Sequence, residues 1–168
     1  QGMKLSLFDI TDISNPKEMF TEIIGDRGTN SDVLHDHKAL LFDKDKNLLA
    51  FPIRVAEKNA TDEVNIDAYG ATVFEGAYVY NLDLENGFNL RGKITHYSEA
   101  DKAQCTTNCY YYQWQDKFKN IARIIYIGKN LYTISEGFVK ASDMDTTEEE
   151  NMIELEGNDY EQNYYYEE

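Results

Sequence analysis

A succession of short, β-rich segments separated by turn residues is the feature that most constrains how this chain can fold. Residues 38–42 and 48–53 flank a polar loop of five residues, and residues 123–127 and 131–135 flank a loop that begins with Gly128. Each pair predicts an antiparallel β-hairpin. Further strands are predicted at residues 4–10, 18–24, 76–82, 88–97, 138–144 and 152–155. The pattern therefore predicts an all-β fold.

Several of the predicted strands are apolar on both faces. Apolar side chains stand at Leu5, Leu7 and Phe8 within residues 4–10, and they run without interruption over residues 77–80. A strand with no clean alternation of apolar and polar residues is usually covered on both sides. Antiparallel sheets that are covered on both sides indicate sheet-on-sheet packing, as in stacked propeller blades or sandwiches.

A weak internal repeat points in the same direction. Residues 6–10 resemble residues 78–82, since each segment ends with an aromatic residue, Asp or Asn, and an aliphatic residue. Residues 46–49 resemble residues 129–132, and each lies at the turn of a predicted hairpin. Repeats at this scale are typical of propellers and related arrays. About 10 or 11 strands are predicted, which corresponds to about two and a half four-stranded antiparallel propeller blades.

Five segments of the chain carry a family resemblance: residues 3–10 (MKLSLFDI), 24–28 (IGDRG), 36–44 (DHKALLFDK), 76–79 (GAYV) and 131–134 (LYTI). In this order they resemble the secreted β-propeller domain family of bacteria and archaea. The resemblance implies propeller blades, export from the cell and, for some members, a lipid anchor through a segment outside this sequence. It implies no catalytic residues and no cofactor.

The number of predicted strands departs from that of a complete family member. Closed propellers typically contain four to eight blades, and this sequence supplies about two and a half. The chain is therefore interpreted as a partial or degenerate member of the family. Three alternatives follow: a fragment, a degenerate member, or a half that completes itself by association.

Charge divides the chain into a body and a tail. The net charge is −15, and residues 148–168 hold nine acidic residues but no Lys or Arg. The sequence therefore predicts a β-blade domain over residues 3–147 and an acidic, Tyr-rich tail over residues 148–168. Residues 1–2, Gln and Gly ahead of Met3, resemble the remnant of a cleaved tag.

The acidity of the chain also restricts its partners. Nucleic-acid binding draws on clustered Lys and Arg, which argues against DNA or RNA as a ligand. An anionic membrane surface is disfavoured for the same reason. The apolar runs are shorter than the roughly 20 residues that a transmembrane helix needs, so no transmembrane segment is predicted.

Aromatic residues crowd a long loop that is predicted between residues 101 and 120. Tyr110, Tyr111, Tyr112 and Trp114 are predicted to form an exposed contact patch for a protein or a glycan. Tyr and Trp suit this role because they supply a large contact area at a low cost in conformational entropy.

The same predicted loop contains the two cysteines of the chain. Cys105 and Cys109 are a candidate disulfide, which is natural in an exported protein. Free thiols and metal ligation remain alternatives, although the two residues lack the second pair that a structural zinc site needs. In the chain-entropy model, closing so small a loop stabilises the fold by about 2 kcal/mol at most.

The sequence predicts no metal site. Residues 43–47 have the alternating oxygen ligands of a calcium loop, but Leu48 replaces the glycine of the sharp turn, so a plain hairpin turn is favoured. His35 and His37 could face the same side of a strand. A structural role is favoured there, in which Asp36 accepts backbone N–H groups as the chain enters the hairpin.

Three functions from different classes remain open on the sequence. The favoured one is a non-catalytic extracellular module that binds a protein or a glycan at the cell envelope. The second is a structural unit whose open sheet edges pair between copies and produce a homo-oligomer. The third is an unrecognised hydrolase, which requires a pocket that gathers two carboxylates with opposed pKa shifts.

Overall fold

Ten antiparallel strands form three sheets in the computed structural model of this chain, which describes residues 2–59, 67–103 and 118–156. Sheet A contains β1 (Met3–Asp9) and β2 (Lys17–Ile24). Sheet B contains β3 (Leu41–Asp43), β4 (Leu48–Glu57), β5 (Ala71–Asp83) and β6 (Gly87–Ile94). Sheet C contains β7 (Arg123–Ile127), β8 (Asn130–Ile134), β9 (Phe138–Asp143) and β10 (Glu149–Glu154).

Each of the four-stranded sheets pairs its strands in the order of the sequence. Sheet B runs β3-β4-β5-β6 and sheet C runs β7-β8-β9-β10, with every neighbouring pair antiparallel. The prediction of an all-β chain with four-stranded antiparallel blades is therefore confirmed. Sheet A adds half a blade, with two strands. The outer strand of sheet C, β10, lies within the acidic segment that begins at residue 148. Helical structure is limited to α1 (Glu99–Ala103) and two short 3₁₀ turns, Asp32–Leu34 and His37–Ala39, in the described part of the chain.

Sheet B lies between the other two sheets and is covered on both faces. The larger side chains of β4 and β5 pack toward Met3 and Ile24 of sheet A; they are Leu49, Phe51, Ile53, Val55, Tyr78 and Tyr80. The smaller ones pack toward Ile124 and Leu131 of sheet C; they are Leu48, Ala50, Ala77 and Val79. Because successive side chains of a strand point to opposite faces, an unbroken apolar run serves both interfaces at once.

Polar contacts fix how the sheets are positioned on one another. The hydroxyl of Tyr80 in sheet B donates to Glu22 Oε1 in sheet A at 2.8 Å. The hydroxyl of Tyr126 in sheet C donates to Asp43 Oδ2 in sheet B at 2.5 Å. Hydrogen bonds between sheets fix the position of each sheet relative to its neighbour. Apolar packing alone specifies that position less precisely.

Three of the hairpins share one turn chemistry. In each turn the same carboxylate oxygen accepts the backbone N–H groups of the residues two and three positions later; the acceptors are Asp43, Asp83 and Asp143. Each turn ends on a residue with a positive φ; these are Asn47 at 50°, Gly87 at 72° and Thr147 at 61°. Asp carboxylates commonly stabilise turns in this way, and the predicted hairpin over residues 43–47 is confirmed.

The structural role predicted for Asp36 is also confirmed. Its Oδ1 accepts the backbone N–H of Lys38 at 2.9 Å, where the chain enters the hairpin of β3 and β4. Its Oδ2 accepts from Arg123 at the start of β7 at 2.6 Å. One carboxylate therefore caps a local turn and connects sheet C to the segment that leads into sheet B.

Gly87 and Gly128 allow the packing of sheet A on sheet B to be tested with a matched pair of variants. Both have a positive φ, but a Cβ at Gly87 would lie 2.5 Å from Cγ of Phe20 in β2, whereas a Cβ at Gly128 meets nothing within 4 Å. Gly128→Ala should cost about 1 kcal/mol of unfolding free energy for its left-handed backbone alone. Gly87→Ala should cost clearly more, because Phe20 must move. Denaturant unfolding of both variants measures the difference, and equal losses would show that the Phe20 contact contributes nothing.

Candidate functional site

A partly open cavity of about 120 Å³ lies where the chain passes from one sheet to the next. We call it the Glu75 cavity. Its walls come from the connection between β2 and β3, from β4 and β5, and from the connection that precedes β7. The lining residues are Asn30, Ser31, Asp32, Pro52, Ile53, Arg54, Glu75, Asn120 and Ile121.

The short length of β3 explains why the first wall is present. β3 pairs with β4 only as far as Ala50, so the edge of β4 beyond that point needs another partner. Asn30 supplies it as an isolated antiparallel bridge, with Asn30 N to Arg54 O at 2.9 Å and Arg54 N to Asn30 O at 2.8 Å. The hydroxyl of Ser31 donates to the carbonyl of Pro52 at 2.5 Å. The connection between sheets A and B is thereby held against β4.

Glu75 and Arg54 form an ion pair beside the cavity, in which Glu75 is buried and the side chain of Arg54 is 40% exposed. They are register partners on β5 and β4, and Arg54 Nε lies 2.5 Å from Glu75 Oε2. Only 6% of the surface of Glu75 is exposed. Burial raises the pKa of the Glu75 carboxyl to about 7, and the charge of Arg54 opposes part of that rise. A carboxylate in such a position depends on its partner, because an uncompensated buried charge is strongly destabilising.

The other polar side chains that line the cavity make fewer hydrogen bonds. The side chains of Asn30 and Asp32 make no hydrogen bond to any other described residue. Asn120 Oδ1 accepts from the hydroxyl of Tyr97 at 2.8 Å, which fixes the side chain and leaves its amide group available as a donor. The cavity therefore presents hydrogen-bond donors and acceptors together with the apolar surface of Ile121.

A second polar cluster lies between sheets B and C and has a structural role. His96 is buried, and its Nδ1 and Nε2 atoms lie 3.0 Å from Ser135 Oγ and 2.9 Å from Thr133 Oγ1. Burial, reinforced by the charge of Lys140, lowers the pKa of the imidazole to about 4. A neutral imidazole that bonds two hydroxyl groups joins the sheets in a polar part of their interface. The sequence showed His96 only as an isolated residue.

The predicted contact patch and disulfide lie outside the described residues. Tyr110, Tyr111, Tyr112 and Trp114 belong to residues 104–117, as do Cys105 and Cys109. Both assignments stay predictions. The structure describes the chain again from residue 118, and Asn120 of the cavity wall follows closely.

The described residues contain no group of three or more His, Cys, Asp or Glu side chains placed to hold a metal ion. His35 and His37 flank Asp36, whose carboxylate is bonded to Lys38 and Arg123. No helix in the described ranges is long and apolar enough to span a membrane.

A family model described as "Beta propeller domain" matches residues 1–147 of the chain. The chain belongs to the β-propeller domain family. The match covers the three sheets up to the turn between β9 and β10. It confirms the predicted resemblance to β-propeller domains, whereas export and lipid anchoring stay predictions. No curated protein and no solved structure matches the chain.

The cavity of this β-propeller domain was not predicted, although the sequence contains a signal for it. Arg54 and Glu75 are the charged residues in the interior of β4 and β5, whose other charged residues, Glu57 and Asp83, stand at the strand ends. A charge in such a strand must be paired or must border a cavity. What could not be foreseen is that the two residues are register partners, and that Asn30 and Asn120 reach them from two different connections.

Replacing His96 tests the structural role of the second cluster. The folded pKa of about 4 lies below the ordinary value of 6.5, so the unfolded chain takes up this proton first as the pH falls. Stability should therefore decrease between pH 6.5 and 4, by roughly 3 kcal/mol for this group. In His96→Gln that part of the decrease should vanish, while the contributions of Glu75 and the other carboxyls cancel in the comparison. The unfolding free energies of the parent protein and of His96→Gln, measured across this pH range, test the prediction. Parallel curves of unfolding free energy against pH would contradict it.

Proposed function

We propose that this β-propeller domain is a non-catalytic module that binds a saccharide of the cell envelope in the Glu75 cavity. The observation that carries the proposal is the set of hydrogen-bonding groups that the fold leaves uncommitted there. The side chains of Asn30 and Asp32 line the cavity without a hydrogen-bond partner among the described residues, and Asn120 belongs to the same lining.

The chemistry of these groups suits sugar hydroxyls. Each hydroxyl both donates and accepts, so a carboxylate such as Asp32 can accept from it while the amides of Asn30 and Asn120 donate to it. The cavity volume of about 120 Å³ is well below the roughly 300–1,000 Å³ of a typical small-ligand pocket. It therefore suits one edge of a sugar ring rather than a whole oligosaccharide.

The contacts of the potentially reactive groups support a binding role over a catalytic one. Glu75 Oε2 is held by Arg54, and the hydroxyl of Ser31 donates to the carbonyl of Pro52. A general acid or a nucleophile must instead be directed at the substrate with its partner base in reach. We therefore place Glu75 and Ser31 among the groups that shape the cavity.

The proposed location at the cell envelope rests on the resemblance of the sequence to exported proteins. In that setting, Tyr110, Tyr111, Tyr112 and Trp114 remain the predicted contact residues for a larger glycan or a protein partner. Their place in the sequence, shortly before Asn120, would let such a surface and the cavity act on one ligand.

Asp32→Ala tests the proposal against Asp45→Ala as a control. Both variants remove one exposed carboxylate, but Asp45 lies in the hairpin turn between β3 and β4 and not in the cavity lining. Loss of a charge-assisted hydrogen bond of about 1.5–3 kcal/mol should weaken binding by about tenfold or more. Binding of labelled protein to an array of envelope saccharides, followed by calorimetry on the best ligand, measures this.

The control should bind like the parent protein, and both variants should keep its melting temperature. No saccharide should be cleaved on prolonged incubation. Equal binding by the Asp32 variant would place the ligand elsewhere, and product formation would revive the hydrolase hypothesis.

A further inference from the structure

We propose that the saccharide bound in the Glu75 cavity carries a free primary amino group, whose ammonium form binds the carboxylate of Asp32. The inference rests on the proposed function, because it names the class of saccharide that the same cavity takes. Amino sugars, N-acetylated sugars and acidic sugars have similar rings but differ in charge. The charges of the cavity lining therefore provide a basis for distinguishing among them.

The charged side chains that line the cavity carry no excess of positive charge. There are three of them among the described residues: Asp32, Arg54 and Glu75. Arg54 Nε lies 2.5 Å from Glu75 Oε2, so these two charges compensate each other while Glu75 is ionised. Asp32 forms no ion pair with another described residue, and it leaves one negative charge over. If Glu75 is protonated, Asp32 and Arg54 cancel, so this part of the lining is positive in neither state.

The position of Asp32 is fixed by its backbone rather than by its side chain. Ser31 caps the 3₁₀ turn Asp32–Leu34, and its hydroxyl donates to the carbonyl of Pro52 at 2.5 Å. The backbone carbonyl of Asp32 accepts the N–H groups of the residues three and four positions later, at 3.0 and 2.8 Å. The carboxylate is therefore held at the cavity while its oxygens stay available. A group that is positioned in advance loses less conformational entropy when it binds.

Asp32 and Glu75 lie close enough for their charges to interact. Burial is the main reason why the pKa of the Glu75 carboxyl rises to about 7, and the negative charge of Asp32 adds to that rise. Like charges that share a site disfavour each other's ionised form. A cation beside Asp32 offsets this repulsion, whereas an anion would add to it.

An ammonium group suits the lining in its hydrogen bonding and in its size. It has three donors and no acceptor, and the carboxylate of Asp32 and the side-chain carbonyl of Asn30 are acceptors. N-acetylation would remove the charge and would also add an acetyl group, which a cavity of about 120 Å³ has little room to take. An acidic sugar would bring a second carboxylate to Asp32. The lining therefore favours a free amino sugar over both.

Titration calorimetry at neutral pH with two matched probes tests the proposal. The probes are the trisaccharides of glucosamine and of N-acetylglucosamine, which share their rings and linkages and differ in whether the amino group is free. The parent protein should bind the glucosamine probe about tenfold more tightly or better, because a hydrogen bond to a charged group is stronger than one between neutral groups.

A matched pair of variants separates the cavity from the overall charge of the chain, because a net charge of −15 attracts any cationic saccharide. Asp32→Asn keeps the size of the side chain and removes its charge, and it should abolish most of the preference for the glucosamine probe. Asp45→Asn removes the same charge from an exposed residue outside the lining, and it should leave the preference unchanged. Both variants should keep the melting temperature of the parent.

Three other outcomes would overturn the inference. Equal affinity for the two probes, with binding that Asp32→Ala still weakens, would refute the amino-group preference and leave the proposed saccharide site in place. A preference that survives in Asp32→Asn, or that falls equally in Asp45→Asn, would assign it to the overall charge of the chain. If neither probe nor any other saccharide binds, the proposed function fails together with this inference.

Discussion

The need to cover both faces of sheet B is the constraint on which the rest of the structure depends. Its two central strands carry apolar side chains at nearly every position, so neither face tolerates water. Sheet A covers one face and sheet C covers the other, and the side-chain sizes differ accordingly: Phe51 and Tyr80 face sheet A, whereas Ala50 and Ala77 face sheet C.

The candidate site arises from the same constraint. Two charged residues, Arg54 and Glu75, interrupt the apolar strands at one place, and they are acceptable there because they neutralise each other at the border of the core. The chain segments that connect the sheets must pass this place. Asn30 pairs with the free edge of β4 and Asn120 is fixed by Tyr97, so the polar wall of the cavity follows from how the sheets are joined.

Local chemistry made much of the fold predictable. The hairpin over residues 43–47 could be foreseen because Asp43 and a following Asn are strong turn residues, and β7 was predicted with its observed bounds. The stacking of sheets could be foreseen from strands that are apolar throughout. The start of β5 at Ala71 was missed, because residues 71–74 resemble any short β-rich stretch until β4 pairs with Ala71, Thr72 and Phe74.

The sequence by itself determined the class of fold, the hairpins over residues 38–53 and 123–135 and the family resemblance, because side-chain alternation and turn residues act over a few positions. Only the tertiary structure decided which face each strand presents to which sheet, and that Glu75 meets Arg54 while Asn30 and Asn120 join them. It also decided that His96 is buried among hydroxyl groups. These outcomes depend on register and on contacts between residues distant in the chain, which no local pattern encodes.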